Sequence, residues 1–110
     1  MEKIIFTTET FEGVKPTLLC ETDFTKEIRI TMAKGAVMKE HSAPAPIIVQ
    51  VLEGEITFEV NGEAIKMGRL DLVSLKPNVP HSLTALSNAI VRLSLHKSDH
   101  QNRVIDAAKR

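Results

Sequence analysis

Four residues have the types and surroundings to do chemistry in a pocket: Lys39, His41, Gln50 and His81. Imidazoles bind divalent transition metals, hold a ligand by hydrogen bonds, or carry protons near neutral pH. Five residues separate His41 from Gly35, and the apolar run IIVQVL follows close behind it. His81 comes directly after the proline-flanked turn KPNVP. Gln50 is the one polar residue inside IIVQVL. At least one face of that strand must be buried, and a buried amide without a partner costs about 1–3 kcal/mol. In a regular strand Gln50 has the opposite parity to Ile47 and misses the face of a ligand at that position. A bulge would turn it inward as a third, neutral metal ligand or as a partner for a histidine or a water.

Lys39 shares the parity of His41 and Ala43 on a regular strand. It could reach a pocket mouth and attract an anion, although a lysine so placed more often runs its stem out to solvent. A non-haem iron site of the common kind wants two histidines and a carboxylate. None is evident beside His41. Glu40 points the other way on a strand, Glu53 abuts Gly54, and Asp71 precedes His81 by ten residues. His96 falls on the polar parity of its strand and His100 in a polar tail, so both are expected in solvent.

The elements that must position these residues are strands. Ile28, Ile30 and Met32 alternate with charged or hydroxyl neighbours, as do Ile56, Phe58 and Val60. A period of two is the mark of a half-buried strand. Asn61-Gly62 sits between EITFEV and EAIKM, the strongest short hairpin signal, because a type I′ turn needs positive φ at both positions. DLVSL and AIVRLSL continue the pattern. Strands about every ten residues, with turn signals between them, predict an all-β sandwich or closed barrel. Residues 1–25 contain EKIIFT and PTLLC, expected to pair with the barrel edge or a second subunit; residues 26–96 form the barrel. Residues 97–110 form a polar tail in which RVIDAAKR could make two helical turns.

Bulk properties narrow the function. A chain of 110 residues is one domain by length. Fourteen acidic and fourteen basic residues cancel, so there is no basic face for nucleic acid. The single cysteine, Cys20, excludes an internal disulfide and a CxxC zinc site. No run approaches the roughly 18 apolar residues of a membrane span, and the N-terminus lacks signal-peptide character. The expectation is a cytoplasmic protein without a membrane association.

The segments GAVMKEHSAPAPIIVQVLEG and LDLVSLKPNVPH resemble the two signature motifs of the cupin superfamily. Gly35, His41 and Gly54 fit the frame of the first; Asp71, Pro80 and His81 fit the second. The resemblance spans about residues 28–95. It implies a double-stranded β-helix, or jelly-roll, barrel that pairs as a homodimer. It also implies a divalent metal (Mn, Fe, Ni, Cu or Zn) or a small molecule held in the barrel. In metal-binding members, two histidines and a glutamate of the first motif join the histidine of the second. Here Ala43 and Ile47 stand at two of those positions, leaving His41 and His81. Leu70 and Asn78 also stand where glycines are usual. Oxygenases, isomerases and decarboxylases are the implied enzyme classes; a non-catalytic binding or sensing module is the alternative.

Overall fold

A computed structural model describes every residue, Met1–Arg110. Nine strands fold into two antiparallel sheets. In chain order they are β1 (Val14–Glu21), β2 (Thr25–Met32), β3 (Val37–His41), β4 (Ile47–Glu53), β5 (Ile56–Val60), β6 (Glu63–Met67), β7 (Leu72–Leu75), β8 (His81–Ala85) and β9 (Ala89–His96). The larger sheet runs β1-β2-β9-β4-β7 and the smaller β3-β8-β5-β6. This is the jelly-roll arrangement, with the core between the sheets.

The alternation seen in the sequence sets which side chains meet there. Ile28, Ile30 and Met32 point inward from β2, and Val91, Leu93 and Leu95 from β9. Ile47, Val49 and Val51 do so from β4, opposite Ile56 and Phe58 of β5. The β5–β6 hairpin closes through Asn61 and Gly62 at φ 51° and 78°, the positive pair its turn requires. Two other turns keep positive φ without glycine. Asn78 stands at 64°, which an asparagine tolerates. Leu70 stands at 76°, a conformation that costs a branched aliphatic residue energy. Gly54 at φ 79° has no such latitude. A Cβ there would run into the Asn88 carbonyl oxygen and lie 2.9 Å from Ser87 Oγ.

The two ends of the chain follow expectation in part. PTLLC lies within β1, which pairs with β2 as the edge of the larger sheet. EKIIFT forms no strand in this chain, and residues 1–12 make no backbone hydrogen bond to the rest of it. The tail does form a helix, α1 (Gln101–Ala108), but it is not merely polar. Val104 and Ala107 are buried within the barrel's own core cluster. Asp99, only 2% exposed, anchors it. Arg103 donates from Nε and Nη2 to its carboxylate at 2.9 and 2.7 Å, and Lys26 Nζ donates to its carbonyl at 2.6 Å. Burial by itself would raise the Asp99 carboxyl. The Arg103 fork and the His100 amide outweigh it and hold that group below the usual range.

Candidate functional site

His41 ends β3 and His81 begins β8, and the register makes them direct cross-strand partners. Their ring centroids are 4.3 Å apart, inclined at 60°. Between Met38 and His41 the chain advances three residues while β8 advances two, from Leu83 to His81. The extra residue is a β-bulge. It lets both Met38 and His41 turn inward, three positions apart. Phe58 backs the pair, its ring 5.6 Å from His81 and nearly parallel to it.

Each imidazole is held by the chain just before it. His41 Nδ1 donates to the Lys39 carbonyl at 2.8 Å, and His81 Nδ1 to the Val79 carbonyl at 2.9 Å. A carbonyl can only accept, so each Nδ1 carries the proton and each Nε2 keeps its lone pair. No protein group bonds either Nε2. Desolvation brings the His41 pKa down to about 4, against a raising effect of its backbone bond, with His81, Arg103 and Arg110 lowering it further. Burial depresses His81 as well. Both rings are therefore neutral at physiological pH, the form that coordinates metal or accepts a hydrogen bond.

The other expected residues lie elsewhere. The bulge places Lys39 outside with Glu40, both exposed, so its side chain does not share the histidine face and only its carbonyl serves the site. Gln50 is not turned inward either. β4 keeps unbroken register with β9 from Ile47 to Val51, and its one shift comes after. The Gln50 amide lies on the outer side and donates to the Leu70 carbonyl at 3.4 Å. Ala43 and Ile47, 3% and 4% exposed, pack into the core. No three His, Cys, Asp or Glu side chains converge to hold a metal ion. His96 and His100 are exposed.

The family model for the cupin domain matches residues 28–96, well over half of the chain. The chain is a cupin. Solved structures with this fold include an RmlC-like cupin protein from Desulfovibrio desulfuricans, 21% identical, with a TM-score of 0.77 over 87% of this chain and 95% of that one. An RmlC-like cupin from Shewanella frigidimarina is 20% identical, with a TM-score of 0.72 over 86% and 96%. KdgF from a Halomonas species is 19% identical, with a TM-score of 0.69 over 80% and 83%. At these identities the likeness is one of fold. No curated protein matches the sequence.

In this cupin the histidine row extends to a residue that strand-by-strand reading of the sequence passes over. His81 pairs with Val60 on β5, and Val60 pairs with Glu63 on β6. Cross-strand partners face the same side, so His41, His81, Val60 and Glu63 form one row on the inner face of the smaller sheet. The Asn61-Gly62 turn was the available signal, because a two-residue hairpin fixes the Val60–Glu63 pairing. A cavity of about 310 Å³ opens there, with Phe58 and Val60 in its walls. A larger groove of about 790 Å³ lies away from His41 and His81. Outward-facing Ile48, Ser74 and His96 line it, so its size does not make it the candidate site.

Proposed function

We propose that this cupin binds a small molecule in its barrel. His41 and His81 would hold a divalent transition metal whose remaining positions are filled by water and the ligand. One observation carries this reading: two adjacent neutral imidazoles, each fixed through Nδ1 and each with a free Nε2. Backbone carbonyls bonded to the remote nitrogen are the usual support of metal-ligating histidines, setting both tautomer and ring orientation. When bound, such an ion would polarise a ligand oxygen. The fit is to half of a ligand set, since Ala43 and Ile47 offer no donor. Two nitrogens alone hold a metal weakly, so the ion would be exchangeable.

A second reading, favoured by the buried Ala43 and Ile47, is a metal-free binder whose imidazoles accept hydrogen bonds from a hydroxylated or amidic ligand. Fold alone decides neither this nor whether a reaction follows. Metal content of untagged protein, purified without chelator and challenged with Mn, Fe, Ni, Cu and Zn, separates the two. Near one equivalent, lost in His41→Ala/His81→Ala, supports the metal; none in either form leaves the binder.

The homodimer expected from the family resemblance stays part of this proposal. Support comes from the unbonded backbone of residues 1–12, from exposed Phe24, Leu72 and Ile5, and from the buried Arg29 Nε, which lacks a partner. Light scattering across a concentration series checks it. No helix is long and apolar enough to cross a membrane, and the lone thiol of Cys20 fits a reducing cytoplasm.

A further inference from the structure

The 310 Å³ cavity is a slot between β5–β6 and β7, lined by neither histidine and joined to His81 only through Phe58 and Val60, and its lining is uneven. Phe58, Val60, Ile65, Val73 and Leu75 make its walls apolar. The one charged group in it is Glu63, which stands at the hairpin end beside Asn61. Glu63 has the inward parity of Ile65 and Met67, because its partner is Val60. No lysine, arginine or hydrogen-bond donor of the chain answers its carboxylate, which stands exposed at the slot mouth. Two strand spacings, roughly 10 Å, separate it from His81 along the row. That is too far to join the imidazoles on one ion, and no such triad exists.

We propose that Glu63 sets ligand class: the barrel takes a molecule with a compact apolar body and a cationic head, and the Glu63 carboxylate pairs with that head at the slot mouth. This rests on the reading that the barrel interior binds a small molecule, but not on a metal. The apolar walls supply the affinity by removing the body from water. The carboxylate supplies the discrimination. An anionic head there would face an unanswered like charge, and a neutral one would gain only a hydrogen bond. Glu63 is exposed to solvent at the slot mouth, which keeps the preference modest.

Benzylamine (protonated at neutral pH), benzyl alcohol and benzoate share one apolar body and differ only in the head. Titrating each into isotope-labelled protein, with chelator present, follows amide shifts of Val60, Val73 and Leu75. The expected order is benzylammonium tightest, by about two- to fivefold over benzyl alcohol, with benzoate weakest. Glu63→Gln keeps the side-chain shape and should bring benzylammonium level with the alcohol. Benzoate binding as well as benzylammonium, an unchanged order in Glu63→Gln, or no shift at the slot with any of the three would each overturn the proposal. Because chelator is present throughout, failure here is separate from failure of the metal reading, which metal content alone decides.

Discussion

β3 and β4 flank the same short connection, and each carries a polar residue able to serve the pocket, yet only one does. In β3 a single extra residue between Met38 and His41 turns the histidine inward and sends Lys39 and Glu40 out. In β4 unbroken pairing from Ile47 to Val51 keeps Gln50 outside and fills the corresponding inner position with Ile47. The difference lies in register. One residue of slip decides which side chains are chemistry and which are surface.

The sharpest way to break this contrast is at Gly54, where β4 ends. Gly54→Ala meets the Asn88 carbonyl and a positive φ together, so it should cost about 3 kcal/mol or more, read as a fall in the denaturation midpoint. Next is the histidine pair. His81, 3% exposed against Phe58, should lose about 2–3 kcal/mol of stability on change to alanine. His41, less buried, should lose less, while metal or ligand retention falls with either. Gln50→Ala should leave that retention unchanged. Equal loss on Gln50→Ala would show that β4 can slip into the site after all.

Acid offers a third probe. Both histidines have folded pKa values below their unfolded value near 6.5, with His41 at about 4. The unfolded chain therefore binds more protons than the folded one between those limits, and stability rises with pH across that window. Thermal melts should show stability complete above about pH 6.5 and falling as pH drops toward 4. The double alanine variant should be flatter over the same range. Asp99 and Glu27, held below the usual carboxylate range, lose their contributions at lower pH still. The smallest effect tests the turn that follows β6. Leu70→Gly, at an exposed residue with φ 76°, should gain about 1 kcal/mol by removing the Cβ strain.

Much of this architecture is legible in the residues. The period of two in β2, β5 and β9 and the Asn61-Gly62 turn are local properties, and each lies where the pattern places it. The two histidines meet because the motif frame puts them at the facing ends of β3 and β8. What the residues do not reveal depends on pairing between distant strands. Counting parity along β3 cannot detect a bulge created by its match to β8, so parity puts Lys39 on the histidine face, while the run of its stem to solvent is what the structure shows. Glu63 joins the row only through two successive pairings. Asp99 reads as a tail residue because its partners, Lys26 and Arg103, come together only when α1 docks.

That docking has a dynamic consequence. Arg103 reaches past Asp99 and donates from Nη1 to the Ser42 carbonyl at 3.1 Å, on the residue directly after His41. The last helix and the strand exit that carries the first imidazole are thus fastened by one guanidinium. They should open as a single cooperative unit, so backbone amides of α1 and of the segment around Ser42 should exchange hydrogen at a common rate. The tempo of access to His41 would then be set some sixty residues further along the chain.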